Sequence, residues 1–370
     1  MFLQAKPRLP LLQEATGASR DRALAHAPQA EWGLVHQGAK VLLTSDQNAG
    51  WLTLTAGPCL VALGLPLGRA GLQELFHTAN VAGRRPLLYK CDRATALTAR
   101  QNKWRVVRLG QEAMLDLAEW SQERPSRRQL RRKIRTAEKA GIRVSTGSDL
   151  PLAEMEAVNR VWSERHGGEK GFSMGRFEPT YLRRQRTFLA HLEGRLVAFA
   201  TFHATQEEWT LDLMRHVEDT PSGTMHLLIA AAASKARAEG CARLSLAAIP
   251  RPLPDWASRL TRWQPCLGLA QFKKSFGPVL VPRYAAAPDV PSLVMGLLAV
   301  ALAIHRPQPP IPESEMRDPA LPAARLRSRR LERRRRWPHF GFDPARVPCD
   351  AQPAKLRPVA FLLSGRRPPS

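Results

Sequence analysis

Between residues 187 and 247 the chain carries a pattern that few folds can satisfy. Three short apolar runs come in close succession, over 187–192, 196–204 and 208–215. Glu193-Gly194-Arg195 lies between the first two, where a tight hairpin needs glycine. The runs predict three strands of an antiparallel meander. An Ala-rich helix over 223–239, stopped by Gly240, and a strand over 242–247 follow. Ahead of them, residues 151–164 place Met155, Val158 and Trp162 at helical spacing. Helix, three strands, helix and strand in that order predict an α/β layered domain.

Similar elements occur earlier. Short β-like runs at 40–44, 51–55 and 59–63 precede a helix over 68–82, in which Leu72, Leu75, Phe76 and Ala79 share a face. A strand over 86–91, a helix over 94–101 and a strand over 104–109 continue the alternation. The order in the second half is the core of a GNAT-type (N-acetyltransferase-like) fold. The expected fold class is therefore α/β (α+β layered), with two GNAT-like halves in tandem. The expected boundaries are 31–145 for the first half, which ends in a basic helix, and 146–290 for the second, which holds the active-site motifs. The first 30 residues are polar, Ala-rich and unpatterned, and are expected to be disordered.

The 370 residues carry a net charge of +24, which implies an anionic partner, either nucleic acid or an acidic lipid surface. Residues 306–370 are rich in Pro and Arg and predict a disordered basic tail, read either as an electrostatic tether or as a solvated segment. Residues 125–140 predict a helix opened by Pro125 and stopped by Gly141. Leu130, Ile134 and Ala137 form a narrow stripe that docks it and leaves Arg128, Arg131, Arg132, Arg135 and Lys139 on the opposite face. Arginine predominates, which suits bidentate phosphate contacts, so these five are the candidate RNA-binding residues.

An apolar run over 290–304 is shorter than the roughly 20 residues of a bilayer-spanning helix. It sets 291–305 apart as a helix, read as buried or, alternatively, as a membrane-surface or partner-contact element. The five cysteines form no CxxC pair and point to a reducing cytoplasm. No HxxxH, HExxH, Walker or dinucleotide spacing occurs, so neither a metal nor a cofactor is expected.

Three segments place charge inside apolar or Gly-rich surroundings. Asp212 sits in Trp209-Thr210-Leu211-Asp212-Leu213-Met214-Arg215, a strand that must give its carboxylate a partner. Strict alternation puts Arg215 on the other face, and a bulge would let the two converge. The pair is then a structural ion pair, or Asp212 is a carboxylate held in a cleft for an ammonium group or a proton. Phe272-Lys273-Lys274-Ser275-Phe276-Gly277-Pro278, read as extended, turns only one lysine into a cleft, where it could bind phosphate or an oxyanion. Glu169-Lys170-Gly171-Phe172-Ser173-Met174-Gly175 is a loop whose glycines allow close approach of a ligand. The loop over 217–223 has two acids, a proline and one glycine, a poor cradle for a coenzyme A pyrophosphate.

Taken together, these segments resemble the cytosolic domain of the phosphatidylglycerol lysyltransferase (multiple peptide resistance factor) family. Arg84-Arg85-Pro86-Leu87-Leu88-Tyr89, Gly110-Gln111-Glu112-Ala113, Val197-Ala198-Phe199-Ala200, Ser245-Leu246 and Pro282-Arg283-Tyr284 follow the family order, over roughly residues 32–288. The resemblance implies aminoacyl-tRNA as donor of lysine or alanine and a glycerol hydroxyl of phosphatidylglycerol as acceptor, at the inner face of the membrane. It implies catalytic roles for Asp212, Arg215 and Lys273, and substrate contacts for Glu169, Phe172, Ser173, Lys274 and Arg283. The basic helix, from Arg127 to Lys139, would meet the acceptor stem. Family members carry N-terminal transmembrane helices that flip the product, and none is expected in this sequence. It therefore synthesises without flipping, works with a separate membrane flippase, or uses another acceptor. The rival readings are tRNA-dependent transfer to a protein or small molecule, and a non-catalytic tRNA-binding protein of the same fold.

Overall fold

The computed structural model describes residues 11–251 and 267–306, so nearly all of the tail expected over 306–370 lies outside the described residues. Contrary to the expectation of disorder, residues 11–30 are built into the fold. Strand β1 (Gln13–Glu14) pairs with β2 (Lys40–Leu43), and helix α1 (Gly17–Ala25) buries Ala23. Their apolar anchors, Leu12, Ala15 and Ala23, are too few and too small to show a periodicity.

The first half continues with a 3-10 segment over Ala30–Gln37, then β3 (Gly50–Ala56) and β4 (Cys59–Leu67). Helix α2 (Leu72–Val81) leads to β5 (Arg85–Cys91), and α3 (Arg93–Gln101) to the long strand β6 (Arg105–Asp116). Asp92 caps α3, accepting the Thr95 N–H at 2.8 Å. The basic helix α4 (Arg128–Lys139) then buries Leu130, Ile134 and Ala137, as its stripe predicts.

The second half holds β7 (Arg143–Thr146), α5 (Leu152–Arg165), the single turn α6 (Pro179–Leu182), and the meander β8 (Arg186–Leu192), β9 (Arg195–Ala204) and β10 (Glu208–His216). Helix α7 (Thr224–Ala238) leads to β11 (Arg243–Pro250), and α8 (Leu267–Ser275) to β12 (Val279–Ala287). Helix α9 (Val290–His305) follows, with Asp289 accepting the Ser292 N–H at its start. The expected burial of α9 is only half met: Ser292, Gly296 and Val300 pack inward, whereas Leu298 and Leu302 are each 57% exposed. No helix among the described residues is long and apolar enough to cross a membrane.

The described strands form one mixed sheet in the order β1-β2-β3-β4-β5-β12-β6-β11-β10-β9-β8-β7. Each half runs an antiparallel meander, a helix and a strand that returns parallel, β4 with β5 and β10 with β11. This is the α/β, tandem GNAT-like architecture read from the sequence. The two halves exchange their last strands: β12 pairs with β5 of the first half, and β6 with β11 of the second. The exchange sets residues of both halves side by side at the middle of the sheet.

Candidate active site

Asp212 reaches the site through an irregularity. Leu211 pairs with Phe202 and Met214 with Ala200, so β10 takes three steps where β9 takes two. This β-bulge breaks strict alternation and brings Asp212 within electrostatic reach of Arg215. The two do not form the ion pair that was one reading of the sequence, because each has other partners.

Asp212 Oδ2 accepts hydrogen bonds from Tyr181 Oη at 2.9 Å and from Gln185 Nε2 at 2.7 Å. Tyr181 Oη also lies 2.8 Å from His203 Nε2. A phenol has one proton, so if Tyr181 donates to Asp212 it accepts from His203, which places the imidazole proton on Nε2. Burial lowers the His203 pKa, against the pull of Asp212 and Glu31, and favours the neutral ring. Burial and the neighbouring Asp212 carboxylate push the Tyr181 phenol well above its ordinary range. Two glycines make this cluster possible. A Cβ on Gly175 would stand 2.1 Å from Asp212 Oδ2, and one on Gly33 would stand 2.2 Å from His203 Nδ1. The second glycine of the predicted ligand loop thus lies against the carboxylate itself.

Arg215 is held beside this cluster. Its Nε donates to Asn159 Oδ1 at 2.9 Å, its Nη2 lies 3.4 Å from Glu169 Oε2, and its guanidinium stacks 3.7 Å from the Trp162 ring centroid. Asn159 Nδ2 donates to the other Glu169 oxygen at 2.6 Å. Glu169 therefore orients Arg215, and its side chain remains 25% exposed.

The Lys273 segment is helical, not extended as the sequence suggested. Lys273 and Lys274 end α8, with Lys273 buried and Lys274 exposed. The alternation of Phe and Lys imitates a strand, but Phe272 and Phe276 are about one helical turn apart and both pack on the His226 ring. Lys273 Nζ donates to the Ala248 carbonyl at 2.9 Å. That carbonyl follows a register shift in β11, where Ala247 takes a φ of 61°. Burial, then the charge of Lys90, lowers the Lys273 pKa to about 8, with Glu112 opposing. Arg283 is not open to a substrate: it is buried against Glu112, its Nε donating to Oε2 at 2.6 Å.

The first half contributes groups that sequence reasoning missed. Lys90 Nζ is 2.6 Å from Glu31 Oε1 and 3.5 Å from the Ser173 carbonyl. Burial alone would lower the Lys90 pKa, but Glu31 and Tyr89 outweigh it and raise it. Gln37 holds the 169–175 loop from both sides, donating to the Met174 carbonyl and accepting from the Arg176 N–H. Phe172, at φ 61°, meets Tyr89 edge to face, and Ser173 is buried. Glu31, Lys90, Tyr181, Gln185 and His203 carry no mutual spacing. A histidine inside the apolar run 196–204 was the one signal that could have flagged this cluster.

On α4, Arg128, Arg132, Arg135 and Lys139 are exposed. Arg131 instead donates to the Gln122 and Arg124 carbonyls, and Arg127, expected to meet RNA, is buried beside Trp120. Cations near a helix N-terminus oppose the macrodipole, so the charge on Arg128 does not serve helix stability.

The chain as a whole is similar to known proteins. A phosphatidylglycerol lysyltransferase of Bacillus subtilis (strain 168) is 29% identical over 219 residues, 56% of this chain and 26% of the relative. The lysylphosphatidylglycerol biosynthesis bifunctional protein LysX of Mycobacterium ulcerans (strain Agy99) is 26% identical over 280 residues, 67% of this chain and 25% of the relative. This chain thus spans about a quarter of the length of these relatives. Among solved structures, L-PGS from Bacillus licheniformis superposes with a TM-score of 0.68 at 25% identity, over 80% of this chain and 98% of that one. FemX shares the fold, with a TM-score of 0.54 at 10% identity over 78% of this chain and 100% of that one. The family described as "Phosphatidylglycerol lysyltransferase, C-terminal" matches residues 24–287, and the chain belongs to it.

Proposed function

We propose that this protein transfers an aminoacyl group, lysyl or alanyl, from aminoacyl-tRNA to a glycerol hydroxyl of phosphatidylglycerol at the cytoplasmic face of the membrane. The observation that carries the reading is the Asp212 cluster, a buried carboxylate within electrostatic reach of Arg215, in a chain of this family. The lipid hydroxyl attacks the ester carbonyl, its proton leaves, and the ribose hydroxyl of the tRNA departs as the new ester closes. The donor ester is already activated, so positioning and oxyanion stabilisation supply the rate.

In this mechanism Asp212 orients the aminoacyl ammonium. Its Oδ2 is occupied by Tyr181 and Gln185, while Oδ1 stands 3.8 Å from His203 and can accept a further donor. Lys273 and Arg215 face the phosphate and the developing negative charge, and Glu169 and Asn159 fix the guanidinium. The exposed cations of α4 hold the acceptor stem. A separate flippase would translocate the product lipid.

Incubation of the purified protein with labelled aminoacyl-tRNAs and phosphatidylglycerol vesicles, followed by lipid extraction, tests the proposal. Label should enter the lipid phase with one tRNA and fail to do so with Asp212→Ala. Label that stays on tRNA for every amino acid would refute lipid transfer and direct attention to a protein or small-molecule acceptor. Tight tRNA binding indifferent to Asp212→Ala, with no transfer to any acceptor, would reduce the protein to an RNA binder.

A further inference from the structure

Helix α9 has two faces of opposite character but equal apolarity. Ser292, Gly296 and Val300 face the sheet, and Gly296 is close enough to Leu87 that a Cβ would meet its side chain at 3.0 Å. The other face carries Val290, Val294, Met295, Leu298 and Leu302, between 39% and 57% exposed. From Val290 to Ile304 the helix bears no charged side chain, so its outer face is a continuous ridge. A surface helix of a globular protein normally turns polar residues outward, and a ridge of this kind marks an interface.

The rim of the ridge identifies its occupant. Gly57, Pro58 and Arg306 line the shallow groove beside it. Arg84 reaches this rim, donating to the Gly57 carbonyl at 2.8 Å, and Arg85 donates to Ser292 Oγ at 3.0 Å. The one acid at the helix, Asp289, accepts the Ser292 N–H as N-cap. An apolar ridge framed by arginines would repel a second copy of itself, and equally the Arg-rich residues 327–336 of this chain. It fits an anionic bilayer surface, where apolar side chains enter the acyl boundary and arginines meet phosphates.

The helix is also tied to the candidate site. The Gly171 N–H donates to the Ile304 carbonyl at 3.0 Å, and Lys170 Nζ lies 3.3 Å from His305 Nδ1. The same loop runs on to Gly175, against Asp212. We infer that α9 is the surface by which the protein docks on an anionic bilayer, so that the 169–175 loop meets the lipid acceptor. The inference rests on the proposed lipid acceptor and adds how that acceptor is reached.

The test uses the full chain with a Leu298→Glu/Leu302→Glu variant, and Leu97→Glu as an exposed control on α3. Vesicles of phosphatidylcholine with one third phosphatidylglycerol are spun down at low and high salt, the latter to screen other basic segments. Transfer is measured on those vesicles and on a short-chain phosphatidylglycerol dissolved as monomers. The ridge variant should keep its thermal midpoint, lose about tenfold or more of its high-salt vesicle binding, and lose transfer on vesicles but not on the monomeric lipid. The control should match the wild type. Unchanged vesicle binding in the ridge variant would overturn the inference, as would a solution dimer that this variant dissociates. Binding that depends on the ridge, without transfer by the wild type to either lipid form, would uphold the docking surface and overturn the proposed function.

Discussion

The two halves of the sheet share one order of elements and use it for opposite purposes. Counted from their first parallel pairs, Cys59 with Arg85 and Glu208 with Arg243, Asp212 stands where the first half has Leu63. Strand β4 is buried and apolar over its first six residues, as a central strand covered on both faces should be. Strand β10 interrupts the same pattern with Asp212 and Arg215 and bulges to accommodate them. One half is apolar at these positions and the other carries the buried charges of the candidate site. The apolar half is still not a spectator, since Gly33, Gln37 and Lys90 hold His203 and the 169–175 loop in place. A duplicated scaffold can thus keep its packing in one copy while the other accommodates buried charge.

Exchanging the two equivalent residues should break the comparison most severely. Leu63→Asp buries a carboxylate with no built partner and should cost roughly 3–5 kcal/mol, measured by chemical denaturation. Asp212→Leu should cost no more than about 1–3 kcal/mol, because His203 can move its proton to Nδ1 and accept from Tyr181 while Gln185 loses its acceptor, yet lower transfer by about 10²–10⁴-fold. The glycines should divide in the same way. Gly175→Ala forces a Cβ into the Asp212 carboxylate and should cut transfer about 10²-fold with little change in stability. Gly64→Ala, at φ 63° in β4 and with its Cβ 2.3 Å from Gln29 Oε1, should cost about 1–3 kcal/mol of stability and spare the specific activity of the folded fraction.

Lys273 gives the comparison a pH axis. Its pKa falls from 10.5 to about 8 on folding, so between those values the unfolded chain binds more protons and stability rises with pH. Below pH 8 the buried cation is a standing cost. Lys273→Met should therefore raise stability at pH 7 by up to about 3 kcal/mol and flatten the rise above pH 8. If the cation faces the oxyanion, wild-type transfer declines as pH passes 8. The mildest effects belong to α4, which joins the halves. Arg128→Ala, Arg132→Ala or Arg135→Ala should each lower the salt slope of tRNA binding by about 1. Arg131→Ala should change it least, since that guanidinium is bonded to the Gln122 and Arg124 carbonyls.

What the sequence disclosed follows from the range of the forces involved. The meander, α7 and the stripe of α4 were legible because periodicity and glycine stops are local. Asp212 and Arg215 were legible as charges out of place in apolar strands. The partners of Asp212 were not, because Tyr181 and His203 are brought together by a sheet register and by a close approach at Gly33, which no spacing encodes. Lys273 was singled out on a strand reading that the helix corrects, because alternating aromatics and lysines suit a strand and one turn of helix equally well. Arg283 looked like a ligand for substrate until Glu112, far away in sequence, proved to be its partner.

The exchanged strands impose an order on the birth of the molecule. Strand β5 ends at Cys91 and its neighbour β12 begins at Val279, so the edge of the first half stays uncovered while the second is made. At roughly 5–20 residues per second, a ribosome needs on the order of 10–40 s to deliver the missing strand. Through that interval β5 offers unpaired amides to any extended segment that passes. Termination before residue 279 would leave two edges open at once, on β5 and on β6, because the one missing strand covers both.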